Sequence, residues 1–213
     1  MIPYIIVFIG MPICAYNLEK SIKNNKTPKI VFWFLLTILI PSVIAALRDV
    51  SVGVDGNVYV KPLLNLANKY SFIEFLSKTN VEIAFASLMY FISLFTDNIG
   101  VAFFIIEFII AGLFLYSAYL VKDRINIFLF TLIFSLTVFT KSLNLMKQFI
   151  GIAFFLLSFA YCLQKKKKKM FISFFIGILF HRIVALFSIV YIIIIVNNKI
   201  KNSSAQFVFF III

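Results

Sequence analysis

Two long apolar runs constrain the fold of this chain more than any other feature. Residues 30–47 and 101–121 are almost entirely apolar, and a helix needs about 20 such residues to cross the hydrocarbon core of a bilayer. The chain of 213 residues is 63% hydrophobic and contains 28 Phe, more than a water-soluble core of this length can bury. The alternating pattern of a membrane β-barrel is absent from the sequence. The sequence therefore predicts an all-α fold, a polytopic transmembrane helical bundle.

The apolar segments are expected to form a single integral membrane domain, residues 1–213. The sequence has no internal repeat and no Gly/Ser linker. The predicted spans are residues 2–16, 30–47, 81–96, 101–121, 125–139 and 148–163, followed by a broken helical hairpin over residues 170–196. A last apolar run, residues 207–213, is too short to cross a bilayer. We therefore expect the domain to be incomplete at its C-terminus, with the natural chain continuing into further helices.

The net charge of +12 comes from clusters of basic residues between the apolar segments. These clusters lie at residues 20–29, 122–124, 165–169 and 199–201. Membrane-protein loops rich in Lys and Arg stay in the cytoplasm. The clusters therefore predict cytoplasmic loops of a protein embedded in a lipid bilayer, and no nucleic acid is expected as a partner.

One of the predicted segments must fail to cross the membrane. If every segment crossed, residues 165–169 would lie on the opposite side from residues 20–29, against the charge rule. Residues 81–96 form the weakest span, because they are few, contain Glu82 near their start and follow an amphipathic stretch suited to the interface. We expect residues 58–98 to be a re-entrant or interfacial segment on the outer side. The polar stretches that would then face the external compartment are residues 48–55, residues 141–148 and His181.

The polar stretch that follows residues 30–47 is the first candidate for chemistry. Gly53 permits a turn where a Cβ atom would clash, which would bring Arg48, Asp49 and Asp55 together at the membrane surface. The alternative is an ordinary polar loop in which the Arg48 side chain extends from the end of its helix to the interface.

A second candidate is the sole histidine of the chain, His181, which is followed by Arg182. A base that titrates near neutral pH beside a fixed cation can remove a proton while an anion is held. Ionisable residues at membrane depth are functional candidates, and an irregular turn there requires surrounding protein or a watery cavity. The alternative is an interfacial polar turn that has no role.

The remaining candidates lie at a helix start and within apolar segments. Lys147 and Gln148 begin a predicted helix whose N-terminus faces outside, a favourable position for a phosphate group, although a simple helix boundary is the alternative. Glu82 lies closer to the expected pocket. Glu107 lies within a span, where a carboxylate is protonated or paired with a base such as Arg182 or Lys147.

The sequence lacks the motifs that identify several classes of enzyme. It contains no Walker loop, HExxH, GxSxG or DxD-like metal site, so nucleotide hydrolysis, zinc proteolysis and serine hydrolysis have no support. Cys14 and Cys162 have no metal-ligand spacing and are interpreted as small hydrophobic residues. We predict no metal and no cofactor, because Arg and Lys can replace a divalent cation in neutralising a leaving phosphate.

Four segments taken together resemble those of a known family. They are ALRDVSVGVDGNVY, NVEIAFASLMYFISLFTDN, LNLMKQFIGIAFFLLSFAYCLQKKKKK and FFIGILFHRIVALF. Their order, over roughly residues 1–200, resembles that of the EpsG-like and Wzy-type polysaccharide polymerases. The resemblance implies a multi-pass glycosyltransferase of the bacterial inner (cytoplasmic) membrane. Such an enzyme joins undecaprenyl-pyrophosphate-linked oligosaccharide repeat units at the outer face, in O-antigen (lipopolysaccharide) or exopolysaccharide synthesis.

The resemblance also implies roles and partners. His181 or Asp55 would accept the proton of the attacking sugar hydroxyl. The residues that would stabilise charge on the departing pyrophosphate are Arg48, Lys147 and Arg182. The residues that would bind sugar hydroxyls are Asp49, Glu82 and Gln148. The implied protein partners are a chain-length regulator and a flippase of the same pathway.

Two positions depart from the pattern of the family. Lys147 precedes Gln148 where the family has Arg-Gln, and Ile183 stands where the family has a small residue after Phe-His-x. Lysine keeps the positive charge but lacks the bidentate fork of arginine, so it cannot clamp a pyrophosphate with two parallel hydrogen bonds. If further helices complete the pocket, a chain without them would be inactive.

Two functions from other classes stay open. A flippase or other transporter of lipid-linked sugars would also place ionisable residues in a central cavity, but transporter folds carry internal repeats, which this sequence lacks. A membrane acyltransferase that modifies a polysaccharide would also use a histidine and arginines within a helical bundle. Its key pair would lie early in the chain, whereas His181 comes late.

Overall fold

The computed structural model describes residues 2–199, and over that range the secondary structure is helical with no strand. In chain order the α-helices are α1 (Ile2–Lys23), α2 (Thr27–Ala46), α3 (Lys61–Ala67), α4 (Phe72–Lys78), α5 (Ile83–Ser93), α6 (Ile99–Leu120), α7 (Ile127–Ile133), α8 (Phe139–Ser142), α9 (Met146–Leu163), α10 (Lys167–Phe180) and α11 (Ser188–Lys199). Two π-helical turns, Gly56–Val60 and Phe134–Val138, and a 3₁₀ segment, Arg182–Phe187, complete the helical elements. The predicted all-α fold is confirmed.

Four of the described helices, α1, α2, α6 and α9, are long and apolar enough to cross a membrane. They contain 18 to 22 residues, which is about 27 to 33 Å of helix. Large apolar side chains cover their outer faces, among them Ile9 and Phe32, each 57% exposed. Exposing this apolar surface to water would be unfavourable, whereas the hydrocarbon of a membrane solvates it well. The protein is therefore a polytopic helical membrane protein, as predicted.

Each of the longer helices packs against the next longer helix in the chain. The principal helix pairs are α1 with α2, α2 with α6, α6 with α9, and α9 with α10. Close contact between α9 and α10 depends on two glycines, because the Cβ of a larger residue at Gly151 would lie 3.1 Å from the carbonyl oxygen of Gly177. Small residues at such crossings let helix backbones approach within the membrane.

The chain between α2 and α6 contains only short helices. Helices α3 and α4 have 7 residues each and α5 has 11, and even α5 is only about 16 Å long. None of the three can cross the hydrocarbon core. The predicted span at residues 81–96 therefore does not cross, in agreement with the expected re-entrant or interfacial segment. Helix α5 packs on α3 and on α10, so this segment is held against the bundle.

The predicted hairpin at residues 170–196 is broken at His181. Helix α10 ends at Phe180, and His181 has an extended backbone (φ −159°, ψ 119°) before the 3₁₀ segment begins. The chain then turns back, because the ring of Tyr191 in α11 lies 5.4 Å from that of Phe174 in α10. The predicted break and its position are confirmed. The apolar run at residues 207–213 and the basic cluster at residues 199–201 extend beyond the described residues.

This order of helices agrees with the distribution of charge. Helices α2 and α6 each cross once, which returns residues 122–124 to the side of residues 20–29. The nearly continuous α7–α8 element and α9 then each cross once, which returns residues 165–169 to the same side. That side is the predicted cytoplasmic one. The loop after α2, the start of α9 and His181 then lie at the opposite end, which the charge rule predicts to be the outer one.

Candidate functional site

The outer loop after α2 is shaped by Gly53. This residue has φ +90°, and a Cβ atom there would lie 2.5 Å from the carbonyl oxygen of Leu143. The loop is also bonded to the connection between α8 and α9, since the Val54 N–H donates to Asn144 Oδ1 (2.7 Å) and the Asp55 N–H donates to the Asn144 carbonyl (3.2 Å). The predicted turn at Gly53 is confirmed, and it fixes one outer loop directly on another.

Replacing Gly53 with alanine is expected to lower the free energy of unfolding by about 2 kcal/mol, because the positive φ and the backbone contact both oppose a side chain. Gly112→Ala is the matched control, since a Cβ atom at Gly112 meets nothing within 4 Å and alanine favours a helix interior. Thermal unfolding of the purified proteins measures the difference. Equal stability of the two variants would contradict this role of Gly53.

Arg48 is held at the inner side of this loop. Its guanidinium donates to the carbonyl of Leu143 and, over 3.4 Å, to the sulfur of Met146, and it lies 4.0 Å from the ring centre of Phe103. Burial lowers the pKa of Arg48 to about 10, while the nearby carboxylates Glu107 and Asp55 oppose that change. The side chain remains a cation at neutral pH, and its Nε is buried with no hydrogen-bond partner in the described part of the chain.

Asp55 occupies the N-terminus of α9. The side chain is 3% exposed, and its Oδ2 accepts a hydrogen bond from the backbone N–H of Lys147 (3.4 Å). Burial raises the pKa of Asp55, and the backbone N–H groups of Lys147 and Met146 act in the opposite direction. A helix N-terminus favours an anion. At the position where the sequence indicated a phosphate, the structure places the protein's own carboxylate.

Three charged or titratable side chains meet beside this helix start. Lys147 Nζ lies 2.9 Å from Glu82 Oε2, and His181 Nε2 lies 3.9 Å from Glu82 Oε1. The Lys147 ammonium also lies 4.2 Å from the ring centre of Tyr59. The side chains of Lys147, Glu82 and His181 are 14%, 18% and 19% exposed, so they are accessible from solvent while being held in place. We call these three residues the Glu82 cluster.

The environment of the Glu82 cluster sets its protonation. Partial burial lowers the pKa of His181 below its ordinary value near 6.5, Glu82 raises it, and the cations Lys147 and Arg182 lower it further. Partial burial raises the pKa of Glu82, but the ion pair with Lys147 outweighs this effect and holds the pKa below its usual value. At pH 7 the cluster therefore contains a neutral imidazole beside a carboxylate and an ammonium.

The hydrogen bonds of His181 assign its ring nitrogens. Nδ1 accepts the backbone N–H of Ile183 (3.2 Å), so the neutral ring carries its proton on Nε2, the nitrogen that faces Glu82. A carboxylate that faces the N–H of an imidazole stabilises the imidazolium formed when the other nitrogen takes up a proton. The pair can thus act as a base and its orienting acid.

Three of the predicted residues lie outside these contacts. Asp49 is exposed, and its carboxylate accepts hydrogen bonds from the backbone N–H (2.8 Å) and the hydroxyl (2.6 Å) of Ser51. Gln148 is half-buried next to Lys147, and Arg182 is exposed next to His181. Gly53 therefore brings Arg48 and Asp55 toward α9, while Asp49 closes a local turn.

Among the described residues, Glu107 forms no ion pair with Lys147 or Arg182, the two bases suggested for it. Glu107 is 2% exposed within α6, and its Oε2 accepts a hydrogen bond from the hydroxyl of Ser142 (2.9 Å). Lys147 is committed to Glu82 instead, and the cation whose charge acts on Glu107 is Arg48. Ser142 was missed because a serine next to Lys141 at the end of an apolar helix carries no recognisable signal in the sequence. Its role depends on which face of α8 meets α6.

A cavity of about 440 Å³ adjoins the Gly53 loop on the side of α1. Its walls are formed by Tyr4, Ile5, Phe8, Val52, Gly53, Thr140, Leu143 and Asn144. These side chains are mainly apolar, and the Glu82 cluster does not line the cavity. No charged side chain lines this cavity, so the Glu82 cluster is taken as the candidate functional site.

Comparison with known proteins gives one result. A family model described as the EpsG family matches residues 5–213. No curated protein and no solved structure matches the chain significantly. The family match covers almost the whole sequence, including the Gly53 loop, the start of α9 and His181. The chain is therefore a member of the EpsG family.

Proposed function

We propose that this protein is a polysaccharide polymerase. It joins undecaprenyl-pyrophosphate-linked oligosaccharide repeat units, of an O-antigen or an exopolysaccharide, at the outer face of the bacterial inner membrane. Membership of the EpsG family and the multi-pass helical fold support this proposal. The observation that carries it is the contact of Glu82 with both Lys147 and His181, which gathers a base, an acid and a cation from three distant parts of the chain.

In the proposed reaction, a sugar hydroxyl of one lipid-linked unit attacks the anomeric carbon of the growing chain on a second lipid. The new bond joins the hydroxyl oxygen to that carbon, and the bond from the carbon to the pyrophosphate oxygen breaks with its electron pair on the pyrophosphate. The hydroxyl proton goes to Nδ1 of His181. This nitrogen gives up its hydrogen bond from the Ile183 N–H and accepts one from the substrate hydroxyl instead. Glu82 then stabilises the imidazolium from the Nε2 side.

The departing pyrophosphate takes up negative charge, and nearby cations stabilise it. Lys147 lies in the Glu82 cluster, Arg182 follows His181, and Arg48 adds a third positive charge behind the loop. Fixed cations can stabilise a leaving phosphate without a divalent metal. Gln148 and Asp49 would then contact sugar hydroxyls. Asp55, buried and bonded to α9, is assigned to holding Lys147 in place, and His181 is the base.

This assignment predicts the pH dependence of the reaction. The base works only as neutral imidazole, and its pKa lies below about 6.5, so the rate of chain lengthening should be constant at neutral pH and fall as the pH drops through that pKa. Because Glu82 raises the pKa of His181, Glu82→Gln should move the acid limb to lower pH. The test is to measure the rate of chain lengthening from about pH 4.5 to about pH 8, a range that spans the titration of a histidine.

The matched control for this measurement is Glu74→Gln. Glu74 forms a capping box with Ser71 at the start of α4, and glutamine preserves such a box, so the acid limb should stay in place. An acid limb that does not move in Glu82→Gln would remove His181 from the role of base.

The proposed function is tested by deleting the gene and analysing the lipid-linked sugars. Loss of a polymerase leaves single repeat units on the outer leaflet, and the wild-type gene restores long chains. Units that accumulate on the cytoplasmic leaflet would instead identify a flippase. Long chains that lack acyl groups would identify an acyltransferase. A chain-length regulator and a flippase of the pathway would act beside the protein, and their deletion should change chain length or supply and leave the linkage intact.

A further inference from the structure

A second polar pocket lies at the opposite end of the bundle, where the predicted cytoplasmic loops meet. This cavity of about 330 Å³ is lined by side chains from the end of α1, the loop and first turn of α2 that follow, the end of α6 with its loop, and the start of α7. The lining residues that carry its charge are Lys23, Lys122, Glu19 and Asp123. It is far from the Glu82 cluster along every helix that joins the two ends. Its chemistry is therefore independent of the polymerase site.

The four charged residues that line this pocket balance one another, and the excess of positive charge comes from the loops around it. Glu19 is already engaged, since its carboxylate pairs with Lys23 Nζ (2.9 Å) and accepts the backbone N–H of Phe128 (3.3 Å). The side chain of Lys23 nevertheless stays 73% exposed, and Lys122 Nζ lies 4.6 Å from the ring centre of Tyr119. Residues 19–29 and 122–124 together carry six basic and two acidic side chains. A positive potential thus remains at the mouth of the pocket.

An apolar groove continues from this pocket along the membrane face. The groove, about 260 Å³, lies between α2 and α6 and shares two wall residues, Ile30 and Tyr119, with the polar pocket. Val31 and Leu35 on its α2 side are 54% and 44% exposed, so the groove is open to lipid. From Ile30 to Leu35 it follows α2 for about 7.5 Å. A polar pocket beneath loops of net positive charge, joined to an apolar groove, matches a phosphate group joined to acyl chains.

We propose that this pocket and groove bind an anionic phospholipid of the cytoplasmic leaflet. Lys23 and Lys122 contact the phosphodiester, and an acyl chain lies in the groove between α2 and α6. Basic pockets between helices on the cytoplasmic side recognise anionic headgroups. A free phosphate ion would use the lysines but gain nothing from the groove, and this difference separates the two sources of the anion.

The test measures thermal unfolding of the purified full chain in neutral detergent with three added probes. Dioleoyl phosphatidylglycerol should raise the unfolding temperature in a saturable way, because a ligand that binds the folded state stabilises it. Dioleoyl phosphatidylcholine and glycerol phosphate should have little effect. Equal stabilisation by glycerol phosphate would show that the site binds any phosphate anion, which would overturn the proposal. No stabilisation by either phosphatidylglycerol or glycerol phosphate would overturn it as well.

Variants locate the effect. The double variant Lys23→Gln with Lys122→Gln should need about 30-fold more phosphatidylglycerol for the same stabilisation, since each surface cation near an anionic lipid contributes about fivefold. Lys166→Gln with Lys168→Gln removes the same charge from exposed positions on the same predicted side and should need no more than the wild type. An equal loss in both double variants would show non-specific attraction and overturn the site.

A tryptophan in the groove tests the acyl-chain position. Leu35→Trp fills the groove and should weaken phosphatidylglycerol binding several-fold. Phe32→Trp is the control, because Phe32 is equally on the lipid-facing surface of α2, at 57% exposure, and does not line the groove. Unchanged binding in Leu35→Trp would exclude the groove from the site.

Discussion

Replacing His181 with alanine is expected to slow chain lengthening by about 10²- to 10⁴-fold, the contribution of a well-placed general base. The structure gives the reason. His181 is neutral at pH 7, its Nδ1 holds a lone pair, and its Nε2 faces a carboxylate 3.9 Å away. Without the imidazole, the sugar hydroxyl would have to lose its proton to water. The rate of growth of the polysaccharide ladder by the purified protein measures the effect.

His181 also has a structural contact that the experiment must separate from catalysis. Its Nδ1 accepts the N–H of Ile183 and so caps the 3₁₀ segment after α10. His181→Asn keeps an acceptor suited to such a cap but removes the base. The Asn variant should therefore unfold at nearly the wild-type temperature and be as slow as the Ala variant. Recovery of polymerisation in His181→Asn would show that the residue acts through the cap.

Replacing Lys147 with glutamine has the second largest expected effect, a loss of about 10²- to 10³-fold in the rate of chain lengthening. This is the size expected when one group that stabilises a developing negative charge is removed. Lys147 is suited to the role because Asp55 fixes its backbone and Glu82 fixes its ammonium group. Its partial exposure lets a substrate reach it. Because the ion pair is largely shielded from solvent, with side chains 14% and 18% exposed, removing the lysine also destabilises the fold, so thermal unfolding is measured beside the rate.

Lys147→Arg provides the control for charge. The guanidinium preserves the positive charge and adds a bidentate fork for phosphate oxygens, so polymerisation should be retained within about tenfold of the wild-type rate. If glutamine and arginine at this position were equally slow, the geometry of the lysine would matter and its charge would not. Wild-type rates in Lys147→Gln would remove the residue from the site.

The membrane fold was largely predictable because its signal is local. Long apolar runs specify helices α2 and α6, and the basic clusters specify the loops that connect them. The failure of residues 81–96 to cross followed from charge counting, and it agrees with the 11 residues of α5. The break at His181 was visible as a polar pair, His181 and Arg182, within an apolar stretch. Each of these inferences uses only neighbouring residues.

The contacts within the site were less predictable, because they depend on how the helices are rotated. Along α1, the exposed Ile5 and the buried Val7 are equally apolar, so composition does not distinguish the lipid face from the protein face. The bond between Glu107 and Ser142 joins residues 35 positions apart, and neither sequence neighbourhood indicates it. The position of Asp55 at the start of α9 likewise appears only when two outer loops are seen in contact.

The central claim is that the Glu82 cluster joins lipid-linked repeat units and that each new linkage releases one lipid pyrophosphate. The most direct measurement follows the purified protein with such units as the only substrate, and counts undecaprenyl pyrophosphate released against linkages formed. The account predicts one released pyrophosphate for each linkage with the wild type and almost none with His181→Asn. Linkages that form equally fast in His181→Asn, or that form without release of the lipid pyrophosphate, would contradict it.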